Sequence, residues 1–193
     1  MNTEQIKEIQ RRIGTTPDGI WGPKSKAAVR EHLLKLMPVP NPWPASDAGS
    51  LLAFYGRPGD EKNLVTIEFP YPMFYGGKRV THTRVNRRCA ASLLKILRVI
   101  RDRLGDRPDV IEDHEDYGGV YSFRVKRAGS TYSLHAYGAA IDLDDDDNTF
   151  RDPWPTKADM PLEIMEEFAK EGWLPAGAMW GYDAMHFQAT RWA

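Results

Sequence analysis

The sequence predicts an α+β fold in which a small, mainly antiparallel sheet is flanked by helices and preceded by a short helical N-terminal segment. Three observations lead there. Helix-period and strand-period stretches are segregated along the chain with no repeating strand-helix-strand unit, which argues against a parallel sheet. Pro38, Pro40, Pro42 and Pro44 alternate in one run; proline fixes φ and removes donors, so an extended, stiff spacer divides the chain. With 193 residues there is room for one ordinary domain of roughly 130 to 150 residues and a small appendage, not for two full domains. The expected organisation is a helical segment over 1–36, a Pro-rich linker over 37–50 that few contacts cross, and a main domain over 51–193.

Ile6, Ile9 and Ile13 recur at spacings of three and four and predict an amphipathic helix over 4–13, ended by Gly14. Thr15 to Pro23 reads as a turn-rich loop. Ser25 is a candidate cap for a second helix running through Leu36, with His32 as a half-buried helix residue and not a ligand. Trp43, in the spacer, could anchor on either neighbour. Further on, Val65 to Phe69 alternates as a strand that should stop at Pro70 and Pro72, and Arg79 to Val85 is a second strand with His82 on its surface. Residues 90–104 form the clearest helix, with Leu93, Leu94, Leu97, Ile100 and Leu104 on one stripe and Gly105 closing it. His114, between acidic pairs, is expected in a solvated loop. Val120 to Val125 reads as a strand carrying Arg124. Pro161 can start a helix through Lys170, with Ile164, Met165 and Phe168 buried. Trp173 and Trp180 flank a last strand, as cleft walls or as core.

Composition excludes several classes. Lys plus Arg at 26 against Asp plus Glu at 27 leaves no basic field for nucleic acid. The single Cys89 excludes a disulfide framework and a cysteine-based zinc site, and reads as a small core residue. No apolar run approaches the roughly eighteen residues of a membrane span, and Met1 to Gln5 lacks the basic start and apolar core of a signal peptide. The expectation is a monomer made in the cytoplasm without a signal peptide, with no membrane partner.

The chemistry concentrates in Ser133-Leu134-His135-Ala136-Tyr137-Gly138-Ala139-Ala140-Ile141-Asp142-Leu143-Asp144. Ala140 and Asp142 would share one strand face and Ile141 and Leu143 the other, so Asp142 is expected to be presented and not buried. Gly138 allows the tight turn that returns His135 over the strand. His186, in Asp183-Ala184-Met185-His186-Phe187-Gln188, is the best third donor. Two imidazoles and one carboxylate make a three-ligand zinc site with an open position, as catalytic zinc requires. Asp183, three residues earlier, is placed as a general base. Taken alone, a His-Asp pair is more often a hydrogen-bonded feature than a metal site. The run Asp144 to Asn148 could be a weak calcium loop, but without the EF-hand spacing it reads as a solvated turn.

Ser133-x-His135-x6-Asp142 followed by Asp183-x-x-His186 resembles the signature of the zinc D-Ala-D-Ala carboxypeptidase and L-alanyl-D-glutamate endopeptidase family, the VanY-like enzymes and phage endolysins. Tyr121-x-Phe123-Arg124, Gly129-Ser130, Glu171-Gly172-Trp173, Trp180 and Met185-His186-Phe187-Gln188 extend the resemblance from about Leu64 to Gln188. The resemblance implies a zinc peptidase with His135, Asp142 and His186 as ligands, Asp183 as base and Arg124 on the substrate carbonyl or its oxyanion. It also implies substrate contacts from Ser133, Tyr121 and Trp180, and bacterial peptidoglycan as partner. Gln10-Arg11-Arg12 and Asp18-Gly19-Ile20-Trp21-Gly22-Pro23 resemble the helical peptidoglycan-binding repeat, with two helices where such repeats have three; the other reading is a small docking hairpin. A phage or prophage lysin, reaching the wall after release or carried in a virion, is the implied setting. The rival is a non-catalytic wall-binding or virion structural protein that keeps the fold.

Overall fold

In the computed structural model, the described residues are 1–107, 110, 114–126 and 129–192. Helix α1 (Thr3–Arg12) begins at a capping box between Asn2 and Gln5 and buries Ile6 and Ile9. Its Gln10 is buried and clips the following loop: the side-chain amide donates to Asp18 Oδ1 (2.8 Å), Ile20 O and Ser25 Oγ, and its oxygen accepts from Gly19 N (2.8 Å). Ser25 is therefore not the cap of α2 (Pro23–Leu36); Gly22 holds that position and Pro23 opens the helix.

The spacer is not a boundary that few contacts cross. Trp43 is buried, donates from its indole to Glu171 O (2.7 Å) and meets Trp173 edge-on at 5.8 Å. Asn41 donates to Gly172 O (2.9 Å). Trp21 packs on Trp154, Arg30 donates to Met179 O, and Ile9, Val29, Leu33 and Met37 join the same core as Leu93 and Phe168. Prolines stiffen a chain without preventing it from packing, and tryptophan supplied the contact area.

After α3 (Ala48–Tyr55), β1 (Leu64–Tyr75) pairs antiparallel with β2 (Lys78–Asn86). β1 does not stop at Pro70 and Pro72. It carries both through an irregularity between Glu68 and Met73, where the ladder requires no donor from them. Helix α4 (Ala90–Leu104) lies against β1 and buries Leu93, Ile96, Leu97 and Ile100; Cys89 is buried at its start. The second sheet has the order β3-β4-β6-β5, built from β3 (Tyr117–Gly119), β4 (Ala140–Leu143), β5 (Leu174–Pro175) and β6 (His186–Gln188). All its pairings are antiparallel. Helix α5 (Leu162–Lys170) covers it, with Phe168 stacked on Phe187 at 4.0 Å, and α6 (Ala176–Trp180) leads into the last strand.

Three local expectations are corrected. Residues 121–124 are not a strand; only Val125 forms a bridge, to Tyr132, so this stretch is one arm of a small hairpin and not part of the sheet. His114 is fully buried, edge-on to Tyr71 at 5.2 Å, with neither ring nitrogen hydrogen-bonded among the described residues, and burial pushes its imidazole down to about 4. Glu112 and Asp113 lie outside the described residues. The acidic run is a solvated turn only at its crest: Asp144 and Asn148 are buried, because the Asn148 amide donates to Asp144 and its oxygen accepts from the backbone N–H groups of Asp159 (3.0 Å) and Met160 (2.7 Å). Burial, then the charges of Asp147, Asp159 and Asp116, push the Asp144 carboxyl up to about 7.

Candidate metal centre

β4 and β6 are neighbours in a register that sets Asp142 directly opposite His186, so the two side chains rise on one face of the sheet. The third group arrives by a turn. Ser133 caps a 3-10 turn over Leu134–Tyr137, and Gly138 closes it at φ 66°. A Cβ at Gly138 would lie 2.6 Å from Leu64 Cδ2 and 2.9 Å from Asn86 N, so glycine is required both for the backbone angle and for the space. The turn folds His135 over β4. His135 Nε2 then lies 3.1 Å from Asp142 Oδ1 and 3.1 Å from His186 Nδ1, and His186 Nδ1 lies 2.9 Å from Asp142 Oδ1. All three residues are buried, and each offers an atom within 4.8 Å of the others. Asp142 is thus buried, not presented, because the turn and β6 close over the face it occupies.

The outer bonds of the two imidazoles fix what their inner nitrogens can be. His135 Nδ1 is 2.8 Å from Val120 O, which can only accept, so Nδ1 carries the proton and Nε2 turns a lone pair inward. Gln188 donates its amide to Thr190 Oγ1 (2.5 Å), which leaves its carbonyl oxygen 3.2 Å from His186 Nε2. That nitrogen therefore carries the proton, and Nδ1 faces inward as a lone pair. Three electron-rich atoms converge, an arrangement suited to a cation between them. Where a proton and not a metal ion takes that place, the groups shift accordingly. Burial pushes the Asp142 carboxyl up, but His135 and then His186 outweigh it and hold the acid well below the usual range. Burial pushes His186 down, and the contact with Asp142, the Asp142 charge and the Asp183 charge reverse that and raise it, so a proton on Nδ1 and a metal ion compete for the same position. Two imidazoles and a carboxylate fit the donor set of a zinc ion with an open position.

A cavity of about 340 Å³ opens over this centre. Asp142, His186, Asp183, Arg124, Ser133 and Trp180 all line it. Asp183 reaches its wall through a left-handed backbone (φ 61°), a strained choice outside glycine that aspartate tolerates better than most, and its carbonyl accepts from His186 N (3.0 Å). Arg124 is held by its own carbonyl, which accepts from Ser133 N (3.1 Å), and not by a sheet strand. Trp180 faces the imidazole of His186 at 6.3 Å, whereas Trp173 is core, fully buried and donating to Ser92 Oγ (3.0 Å). Tyr121 is not brought to the cavity: it lies under the Arg84 guanidinium, 5.4 Å from ring to charge. Lys126, Phe150 and Tyr182 line the cavity without having been singled out; Met185 lines it too, named before only within the resemblance motif, and Gln188 was not singled out for its role behind His186.

Residues 126–189 match a family model described as D-alanyl-D-alanine carboxypeptidase. The match covers about a third of the chain and holds His135, Asp142, Asp183 and His186 together, and it supports a peptidase of that kind. No curated protein and no solved structure matched the chain.

Proposed function

We propose that this chain is a zinc-dependent peptidase that hydrolyses an amide bond in the peptide stem of bacterial peptidoglycan, of the D,D-carboxypeptidase or L-Ala-D-Glu endopeptidase type. The observation that carries the reading is the convergence of two tautomer-fixed imidazoles and Asp142 beside Asp183, inside the region matched by the carboxypeptidase family. His135, Asp142 and His186 would hold the ion. Bound zinc supplies Lewis acidity towards the scissile carbonyl and makes water a nucleophile near neutral pH. Asp183 takes the proton of the attacking water and passes it to the leaving amine. Arg124 places its guanidinium in the cavity to stabilise the developing oxyanion, where its charge counts most in the transition state. Ser133 and Trp180 form substrate-contacting walls.

The phage or prophage endolysin setting, and wall binding by residues 1–36, belong to the same proposal. The first rests on the sequence resemblance. The second rests on the clipped Asp18–Pro23 loop, which leaves Ile20 exposed. Among the described residues no helix is long and apolar enough to cross a membrane. Protein purified without a metal-affinity tag should contain near one zinc per chain and release defined peptide fragments from purified peptidoglycan, read by mass spectrometry. Less than about a third of an equivalent, with activity indifferent to a strong chelator, overturns the zinc reading. Wall pull-down without any cleavage favours the non-catalytic binder instead.

A further inference from the structure

Above the metal centre, the hairpin arm that follows Val120 alternates its side chains. Phe123 and Val125 point outward, 59% and 49% exposed, and Phe123 stacks on Tyr132 of the opposite arm at 5.3 Å. Arg124 and Lys126, two apart and so on one face of the extended arm, both line the cavity. The arm is fixed by Lys126 N donating to Thr131 O (2.9 Å), by the Val125–Tyr132 bridge, and by Ser133 N donating to Arg124 O. Neither cation has an ion-pair partner among the described residues. Two like charges side by side repel; Asp142 and Asp183 line the same cavity and offset them, but with a dication at the three-ligand centre, as the peptidase reading has it, the lining is net positive and complementary to an anion on the ligand. One cation suffices for a single oxyanion. The second has no assignment in the reaction proposed above.

We infer that Lys126 is a specificity-determining residue that binds a free carboxylate of the substrate peptide, close to the bond that is cut. This rests on the peptidase reading. A stem peptide can present such a carboxylate at its C-terminus or on a glutamate residue along the stem, and both offer the same chemistry to an ammonium. A lysine on a narrow hairpin arm acts as a point charge with three donors, suited to a carboxylate that sits differently in different peptides. Met in its place keeps the apolar stem and removes the charge, and the exposed position tolerates the change.

The test uses the zinc-loaded full chain, a pentapeptide stem, and two analogues, one amidated at the C-terminal carboxylate and one at the glutamate carboxylate. Cleavage is followed by steady-state kinetics and binding by calorimetry. The wild type should lose about ten- to a hundredfold in KM and in binding for one of the two amides, which identifies the carboxylate. In Lys126→Met the acid peptide should bind as weakly as that amide, with kcat within about threefold of wild type, and Lys126→Arg should restore the discrimination. Equal use of all three peptides by the wild type, or unchanged discrimination in Lys126→Met, overturns the inference and leaves the peptidase reading intact. Lys126-dependent discrimination in binding with no cleavage of any peptide defeats the peptidase reading and with it the specificity role, leaving Lys126 as the carboxylate contact of a binding site. Neither binding nor cleavage defeats both.

Discussion

Two buried carboxylates in this molecule each hold an imidazole, and they end differently. Glu166, on α5, accepts His32 Nε2 at 2.7 Å and is gripped in bidentate fashion by Arg12, at 2.7 and 2.5 Å. The chain itself delivers a permanent cation there, so that centre is complete and serves to lock α1 and α2 onto the main body. Asp142 has two imidazoles and, among the described residues, no arginine or lysine bonded to it, and the outer partners of both rings, Val120 O and Gln188 Oε1, keep their protons on the far side. The same residue types therefore make a closed structural ion pair in one place and a candidate cation site in the other. What separates them is whether the sequence supplies the positive charge.

The largest effects should come from breaking the open centre. Asp142→Asn removes the only anionic donor, so zinc content and hydrolysis should disappear together. Glu166→Gln should leave zinc at one equivalent. Asp183→Asn divides ligand from base: zinc should stay near one equivalent while turnover falls by roughly two to four powers of ten, the range for a lost general base. Loss of zinc in that variant would make Asp183 a fourth ligand, and near-wild-type turnover would remove it from the mechanism.

Much of the open centre was legible because its parts are local in sequence. His135, Gly138 and Asp142 lie within one turn and strand, and the helices over 90–104 and 162–170 follow from apolar period and stops. Gln188 was readable too, since it lies two residues beyond His186 on the same strand face. The bond from His135 to Val120 O was not, because a backbone carbonyl leaves no mark in the residue types. The closed centre was invisible for another reason: Arg12 and Glu166 are 154 positions apart, and no local pattern encodes that meeting. The same holds for Trp43 on Glu171, which turns an apparent linker into packing. Pro70 and Pro72 misled because a strand irregularity absorbs them, and His114 because acidic neighbours in sequence said nothing of Tyr71 beside it.

Next in size is the effect of separating the two centres. Val29 and Leu33 are 1% and 0% exposed, and with Ile9 they join the common core. Burying each such side chain contributes about 1.5 to 3 kcal/mol, against a whole-domain stability of roughly 5 to 15 kcal/mol. Deleting residues 1–36 should therefore leave the remainder unfolded or aggregated, which a thermal melt and a sedimentation profile would show. A soluble fragment with wild-type cleavage of small muropeptides would restore the linker reading of 37–50. A milder cut is Arg12→Met. It strands a buried carboxylate with His32 alone and should cost about 2 kcal/mol, more than the ~1 kcal/mol for Glu166→Gln, which merely releases a half-exposed arginine to water. The reverse order in urea melts would mean that Glu166 is not the buried partner.

The smallest expected effect is the acid dependence of the closed centre. Burial alone would raise the Glu166 carboxyl, but the hydrogen bond from Arg12 and then that of His32 outweigh it, and the folded value lies below the ordinary 4.5. An acid with a depressed folded value binds fewer protons folded than unfolded. Its stabilisation is therefore complete above about 4.5 and is lost as pH falls through the lower folded value. Carboxylates at other sites, such as Asp18 and Asp47, are depressed as well, but they are present in both wild type and Glu166→Gln and cancel in the difference between them. Urea melts of the two proteins from about pH 6 to about pH 3 should show a constant gap of ~1 kcal/mol that closes only at the acid end. A gap that is flat throughout would mean that Glu166 keeps α1 and α2 in place by packing and neutral hydrogen bonds, and that its charge, unlike that of Asp142, is dispensable.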